Sequence, residues 1–320
     1  MSRYTLLGFL AILLWSVTVG LARSLAEKVG PMAGGSAVYL IAGIVCLLRH
    51  RGVSLSGGPR NLPLRYLLGC GALFVCYLLS FYLAIGAARD RREVLAVGLA
   101  NYLWPTLTIL FSLALLRRKA GLLLAPATLA ALGGVLLAVA EGSGVPVSDL
   151  LSGSMGRPGP VLLAAAGAVM WALYSNLTSA WMGDRRESGV GLFMLTTGAL
   201  LLVLAAAGLG PEAASSAGAD GGADGGAVGH AMFGAWTLRA FGEALCLGLA
   251  TGAGYECWET AMRRGNVTLV AAASYATPLL STLFSCLYLG VRPGAGLWIG
   301  CLLIVIGSVM SWKAVSVRSS

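Results

Sequence analysis

Two stretches of this chain resemble one another, and their agreement decides the fold. Residues 100–112 read Ala-Asn-Tyr-Leu-Trp-Pro-Thr-Leu-Thr-Ile-Leu-Phe-Ser, and residues 273–285 read Ala-Ser-Tyr-Ala-Thr-Pro-Leu-Leu-Ser-Thr-Leu-Phe-Ser. Seven of the thirteen positions are identical at a spacing of 173 residues. Because Leu and Ala recur everywhere in an apolar chain, the shared Tyr, Pro, Phe and Ser carry the argument. They indicate an internal repeat of two long units.

The composition around these stretches is that of an integral membrane protein. Of 320 residues, 58% are hydrophobic and 11% are charged, against roughly 25% charged in an average soluble protein. Glycine is frequent, with 45 residues and no collagen period, which favours close packing between helices. The seven cysteines all lie in apolar runs, where they behave as small hydrophobic residues and indicate neither a disulfide framework nor a metal site.

Ten apolar stretches are long enough to cross a bilayer core of about 30 Å. Each is continuous, which favours helices over the alternating strands of an outer-membrane barrel. Their approximate ranges are 4–22, 32–48, 66–87, 94–116, 122–140, 160–181, 190–208, 241–262, 267–290 and 296–315.

Five spans lie in each copy of the repeat, and an odd number has a topological consequence. The second copy must enter the membrane from the opposite side, as in the inverted repeats of many secondary transporters. We therefore expect an all-α membrane protein of ten transmembrane helices. Residues 1–142 form the first five-helix repeat, 143–159 an external linker, and 160–320 the second repeat, with a flexible external loop at 209–238.

The basic residues predict the orientation. With a cytoplasmic N-terminus, 14 Lys and Arg residues fall inside and 8 outside, in agreement with the positive-inside bias. Both termini are then cytoplasmic, and the chain lies in the inner membrane. The formal charge of +9 is explained by this bias, and no motif supports a nucleic-acid partner.

The repeated prolines predict bends in the fourth and ninth spans. Pro105 and Pro278 lack an amide hydrogen, so the carbonyl groups of Asn101 and Ser274 lose their helical partners. Polar residues share the face of each proline. The first stripe comprises Asn101, Pro105, Thr108 and Ser112, and the second Ser274, Pro278, Ser281 and Ser285. Such stripes either line a wet cavity between the two repeats or pack against neighbouring helices.

The motif Tyr-x-x-Pro-x-x-x-x-Leu-Phe-Ser in both spans resembles the drug/metabolite transporter superfamily, in its EamA branch. Within that branch, Asn101 to Pro105 together with Trp171 and Tyr82 look most similar to exporters of aromatic amino acids. The resemblance implies alternating access through a central cavity formed by helices of both repeats. It also implies that aromatic and other bulky neutral amino acids leave the cytoplasm by this route.

The side chains themselves fit such a substrate. Aromatic rings grip an aromatic side chain for roughly 0.5–1.5 kcal/mol each beyond burial, and a Trp face accepts an ammonium group. Several rings lie too deep to be interfacial anchors, although packing between helices is the alternative for each ring. The candidate substrate-binding residues are Phe81, Tyr82, Asn101, Tyr102, Trp104, Trp171, Tyr255, Ser274 and Tyr275.

Two carboxylates near the inner end of the eighth span are candidates for proton coupling. Intramembrane Glu256 and Glu259 invite that hypothesis, but Glu259 and Arg263 are spaced to form an ordinary surface ion pair. We expect facilitated, downhill export. The alternative is a proton-coupled exporter of another small hydrophobic or cationic solute.

Other functions lack the residues that they need. A nucleotide-sugar carrier requires basic residues mid-span, and a drug-cation pump requires a deep carboxylate in the first helix; neither is present. An enzyme is disfavoured because no span contains a histidine or a catalytic motif, and no cofactor is expected. The pairs Gly248/Gly252 and Gly296/Gly300 suit close packing within one chain, so we expect a monomer whose partners are its substrate and the lipid bilayer.

Overall fold

The computed structural model describes residues 2–53, 62–87, 97–98, 100–116, 119–143, 146–148, 158–183, 185, 187–208, 236–289 and 294–316. Over these ranges the regular structure is helical, without a β-strand. The all-α class is thereby confirmed. Most of the expected linker at 143–159 and of the expected loop at 209–238 lies outside the described residues.

Eleven α-helices of seven or more residues and one π-helix lie within the described ranges. The α-helices are α1 Arg3–Val29, α2 Pro31–Val53, α3 Gly71–Ala87, α4 Trp104–Leu115, α5 Leu124–Ser143, α6 Pro158–Met182, α7 Val190–Ala206, α8 Leu238–Arg264, α9 Val267–Ala273, α10 Ala276–Leu289 and α11 Ala295–Ser316. The π-helix Arg65–Cys70 runs directly into α3.

Four segments of these helices are long and apolar enough to cross a membrane: Pro31–Arg49, Arg65–Ile85, Gly159–Met182 and Trp298–Val315. Five further apolar stretches of the described helices are shorter, with 10–17 residues: Arg3–Ser16, Trp104–Leu115, Leu124–Leu137, Val190–Ala206 and Val267–Ser281. The apolar faces are consistent with a membrane protein, and the count of ten spans stays a prediction.

The two repeated motifs coincide with breaks in the helices rather than with simple bends. Tyr102 and Leu103 form a turn before α4, and Ser274 and Tyr275 form the turn between α9 and α10. Each proline then lies in the first turn of the following helix, where its missing amide hydrogen costs little. The carbonyl of Ser274, expected to lose its partner, accepts a hydrogen bond from the Thr277 amide at 3.0 Å.

Helices from the two ends of the chain pack against each other in pairs. The helix α1 packs on α8 and α10, α3 and α4 pack on α6, α2 packs on α7, and α5 packs on α11.

Small residues allow these close approaches. A Cβ at Gly43 would lie 2.7 Å from the Leu195 amide nitrogen on α7, and one at Gly134 would lie 2.7 Å from the Gly300 carbonyl oxygen on α11. Gly248 and Gly252 face α2 of the same chain, as expected for intrachain packing.

Candidate substrate site

Aromatic side chains from five helices form one buried cluster. Neighbouring ring centroids are 5.0–6.5 Å apart, mostly edge-on or tilted, as aromatic rings prefer. We call this group the aromatic cluster; it comprises Trp15, Phe74, Tyr77, Trp104, Trp171, Tyr174, Tyr255 and Trp258. The contributing helices are α1, α3, α4, α6 and α8, so both predicted repeats supply rings.

Trp171 lies at the centre of the aromatic cluster. Its side chain is only 2% exposed, and its ring contacts every other ring of the cluster. Trp104 meets it edge-on at 6.0 Å. The break before α4 places Trp104 at the first position of a new helix, facing inward. The two tryptophans singled out from the sequence therefore come together and do not face lipid.

Two buried polar atoms beside these rings have no hydrogen-bond partner among the described residues. They are the indole Nε1 of Trp171, a donor, and the amide Oδ1 of Asn101, an acceptor. The Tyr77 side chain connects them, because its hydroxyl lies beside Asn101 and its ring lies 5.0 Å from Trp171. Leaving a buried polar group unpaired costs about 1–3 kcal/mol. A ligand carrying both an acceptor and a donor would recover that cost.

Two further predicted residues, Phe81 and Tyr82, lie at the edge of the aromatic cluster. Phe81 stacks on Tyr77 at 6.5 Å. Tyr255, a member of the cluster, contacts Tyr39, and Tyr39 contacts the partly exposed Tyr82 at 6.2 Å. Tyr82 also packs on Gly35, where a Cβ would lie 2.8 Å from the ring.

The candidates drawn from the sequence lacked Tyr39 and five members of the aromatic cluster: Trp15, Phe74, Tyr77, Tyr174 and Trp258. The sequence did contain a pattern that could have indicated Tyr39. Gly35 and Tyr39 are four residues apart, so a small residue and a tyrosine lie on one face of α2. Phe74 had no signal of its own in a uniformly apolar helix.

The remaining predicted residues lie apart from the aromatic cluster. Tyr102 and Tyr275 belong to a second apolar cluster with α5 and α11. The Tyr275 and Thr106 hydroxyls are hydrogen-bonded at 2.6 Å. The Ser274 hydroxyl donates to the Ala271 carbonyl of its own helix at 2.7 Å.

The polar residues of α4 make hydrogen bonds within and between helices, which was the alternative to lining a wet cavity. Thr108 donates to the Trp104 carbonyl and Ser112 to the Ile109 carbonyl, both at 2.7 Å. Asn176 of α6 then donates to the Thr108 carbonyl at 3.0 Å. The first two bonds lie within α4, and the Asn176 bond holds α4 against α6, which keeps Trp104 beside Trp171.

Glu259 is fully buried. The expected ion pair with Arg263 is present, but the prediction that it lies at the surface is wrong. The Glu259 carboxylate lies 3.4 Å from the Arg263 guanidinium, and these side chains are 1% and 3% exposed. It also accepts hydrogen bonds from Tyr66 at 3.0 Å, Ser188 at 3.1 Å and Tyr174 at 3.3 Å. A spacing of four residues predicts that two side chains meet but carries no information on depth.

The other carboxylates of α8 have different surroundings. Glu256 pairs with the exposed Arg49 at 3.3 Å. Glu243, in the same predicted span but overlooked by the sequence reasoning, binds Lys28 of α1 as well as Arg239 and Ser24. Within the described ranges, no three His, Cys, Asp or Glu side chains come together as a metal site requires.

Apolar helices with two interruptions, one of which places Trp104 in the aromatic cluster, are typical of a class of proteins, the membrane transporters. The particular family follows from comparison. The model of the EamA-like transporter family matches residues 159–312, and full-length relatives extend the match to nearly the whole chain. The protein belongs to the EamA-like transporter family.

Three relatives carry the name aromatic amino acid exporter YddG. The protein from Escherichia coli (strain K12) is 32% identical over 314 residues, which cover 98% of this chain and 97% of the relative. The one from Salmonella typhimurium is 31% identical with the same coverage. The one from Ancylobacter novellus is 32% identical over 319 residues, covering 97% of each chain.

A solved crystal structure has the same fold. It superposes with a TM-score of 0.73 at 27% sequence identity, covering 98% of this chain and 99% of that chain. The agreement extends over both predicted repeats.

Proposed function

We propose that this protein exports aromatic and other bulky neutral amino acids across the inner membrane by facilitated alternating access. The observation that carries the proposal is the aromatic cluster centred on Trp171, with the unpaired Trp171 indole nitrogen and the unpaired Asn101 oxygen beside it. The names of the relatives support the substrate class.

Each part of a neutral amino acid has a counterpart in this site. The rings of Trp104 and Trp171 suit the apolar or aromatic side chain, for about 0.5–1.5 kcal/mol per ring contact beyond burial. The Trp171 indole N–H can donate a hydrogen bond to the carboxylate, and the Asn101 side-chain carbonyl oxygen can accept one from the ammonium group. The nearby carboxylate of Glu259 is already compensated by Arg263 and three hydroxyl groups. The site therefore favours a zwitterion over a net cation.

Helix packing supports the ten-helix inverted repeat. If spans one to five correspond to spans six to ten, the packing of α1 on α8 corresponds to that of α6 on α3. The packing of α1 on α10 likewise corresponds to that of α6 on α4. Two pairs map onto themselves under this correspondence: α2 with α7, and α5 with α11. The family match at 159–312 coincides with the proposed second repeat at 160–320, and 1–142 is the first.

The broken helices suggest how access alternates. The turns before Pro105 and Pro278 interrupt the backbone hydrogen bonds at symmetry-related places, and such breaks are typical of transporter sites. We assign these prolines as hinges. Both termini are cytoplasmic in this proposal, and the protein acts as a monomer.

Charge pairing favours facilitated transport over proton coupling. Glu259 has four partners, Glu243 has three and Glu256 binds Arg49. A coupling carboxylate has to exchange protons with water during the cycle, whereas these groups are engaged by cations and hydroxyls. The burial of Glu259 is the one observation that favours the proton-coupled alternative.

Counterflow in proteoliposomes tests the proposal. Labelled Phe, Trp, Leu, Thr and a quaternary ammonium dye are offered to the wild type, to Trp171→Ala and to Trp298→Ala; Trp298 is a matched tryptophan, 58% exposed on α11. We expect rapid exchange of Phe and Trp, little exchange of the dye, loss with Trp171→Ala and retention with Trp298→Ala.

Two results would contradict the proposal. Equal transport of the dye, with the two variants behaving alike, would reject the substrate assignment. Strong inhibition after collapse of the proton gradient would favour the coupled alternative.

A further inference from the structure

At the end of the molecule where α8 terminates, a tyrosine hydroxyl makes one of the contacts that join the two proposed repeats. The Asn266 amide, which donates to the Thr5 hydroxyl at 3.1 Å, and the Arg49–Glu256 ion pair are others. Tyr66 lies on the π-helix that precedes α3. Its hydroxyl donates to the Glu259 carboxylate at 3.0 Å and accepts from the Gly189 amide at 3.0 Å. Tyr66 belongs to the first repeat, and both of its partners belong to the second.

Every other described partner of Glu259 comes from the second repeat. Ser188 and Tyr174 donate to the carboxylate, and Arg263 forms its ion pair. Arg263 is itself held by the Glu187 carbonyl at 2.6 Å. If Tyr66 left, the carboxylate would keep a cation and two hydroxyls. The Tyr66 hydrogen bond can therefore break without exposing an uncompensated charge to the membrane interior.

The Tyr66–Glu259 hydrogen bond lies next to the aromatic cluster. Glu259 follows Trp258 in α8, and Tyr174 belongs to both groups. The Tyr66 ring contacts Phe193 at 5.4 Å, and Phe193 contacts Phe74 at 5.9 Å. These side chains are all 0–3% exposed, while Tyr39, Tyr77 and Asn101 on the opposite side of the cluster are 7–9% exposed and Tyr82 is only partly buried. The rings of the cluster are more deeply buried on the Glu259 side than on the Tyr82 side.

The π-helix supplies a way to release the link. A π-turn holds one more residue than an α-turn, and such turns frequently occur at functional sites. If the π-helix changed to α-helical hydrogen bonding, the turn would lose its extra residue. Tyr66 would then rotate by about 100° relative to α3, which is the angle that one residue spans in an α-helix. That rotation carries the hydroxyl away from Glu259.

We propose that the Tyr66–Glu259 hydrogen bond is a latch that closes the transport pathway at the α8 end and opens once in each cycle. Glu259 is the fixed anchor of the latch, and Tyr66 is its moving part. The inference rests on the proposed alternating access between the two repeats, under which the α8 end is cytoplasmic. The structure then corresponds to the state closed towards the cytoplasm.

Access to Cys70 measures the state of the latch. Cys70 ends the π-helix and is fully buried. The other six cysteines are replaced by Ser, and a membrane-impermeant maleimide is applied to inside-out and to right-side-out vesicles. The variant Tyr66→Phe removes the hydroxyl and keeps the ring that packs on Phe193. Ser188→Ala is the matched control, since it removes a Glu259 donor within the second repeat.

We expect Tyr66→Phe to label at Cys70 about tenfold faster than its parent, from the α8 face alone, because a hydrogen bond to a charged group biases a two-state equilibrium by about that factor. Ser188→Ala should label at the parental rate. In counterflow, Tyr66→Phe should lower the half-saturating Phe concentration at the α8 face and raise it at the other.

An unchanged rate of Cys70 labelling in Tyr66→Phe would overturn the latch. So would an equal increase in the labelling rate from both faces, or an equal increase in Ser188→Ala, because either result indicates general loosening. Absence of amino acid exchange by the wild type would reject the proposed function instead. The Cys70 measurement would still report whether Tyr66 closes this end.

Discussion

The two copies of the repeated motif share their backbone interruption and seven of thirteen residues, but their side chains make different contacts. Both interrupt a helix just before a proline. In the first copy, Asn101 keeps an unpaired oxygen and Trp104 joins the aromatic cluster. In the second, Ser274 bonds to its own helix and Tyr275 is bonded to Thr106. Under the proposed function, the first copy of the backbone break serves substrate recognition, whereas the contacts of the second copy are packing contacts.

The largest expected difference between the copies concerns Trp104 and its counterpart Thr277. Trp104→Ala removes edge contacts with Trp15, Trp171 and Trp258; at roughly 0.5–1.5 kcal/mol each, Phe counterflow should fall about tenfold or more. Thr277→Ala should stay within about twofold of wild type. Initial rates are compared at equal amounts of folded protein, measured by size-exclusion chromatography. Similar losses in both variants would remove the functional difference between the copies.

Asn101 and Ser274 should differ next. Asn101→Ala removes the proposed acceptor for the ammonium group, so the half-saturating Phe concentration should rise about tenfold, as for a hydrogen bond to a charged group. Ser274→Ala removes only a bond within its own helix and should change that concentration less than about twofold. The measurement is concentration-dependent counterflow. A larger effect at Ser274 would reverse the assignment of the two motifs.

The second copy should matter more for stability. Tyr275→Phe leaves the buried Thr106 hydroxyl without its partner, at a cost of about 1–3 kcal/mol, and should lower the unfolding temperature in detergent while leaving the half-saturating concentration unchanged. Tyr102→Phe, at the corresponding and partly exposed position, is the control and should unfold near the wild-type temperature. Differential scanning fluorimetry makes the comparison. Equal unfolding temperatures for the two variants would argue against a packing role specific to Tyr275.

The smallest difference is expected at the prolines, where the copies are alike. Pro105→Ala and Pro278→Ala each restore a backbone amide and loosen the restriction at the first turn, an effect of about 0.4–1 kcal/mol. The turnover rate should fall about two- to fivefold in each variant, with little change in the half-saturating concentration. Single-turnover and steady-state counterflow separate these quantities. An effect confined to one proline would show that only one break acts as a hinge.

Several features of the site were predictable from the sequence. Trp104 follows a break in the fourth span and Trp171 lies mid-way along the sixth, and two tryptophans at such depth are too far from the interface to act as anchors. Their convergence in the aromatic cluster agrees with that reasoning. The placement of Tyr102 and Tyr275 in a separate cluster did not follow from it, because a residue next to a helix break can turn towards either side.

The amino-acid sequence alone determined the helical class, the apolar character of the helices and the two motifs at which their course changes, because these depend on composition, periodicity and the missing amide of proline. Only the tertiary structure decided how deep Glu259 lies, which partners it has, and that the Tyr66 hydroxyl reaches it across 193 positions of sequence. Burial and long-range hydrogen bonding depend on which helix faces meet, and in uniformly apolar helices the local sequence leaves that choice open.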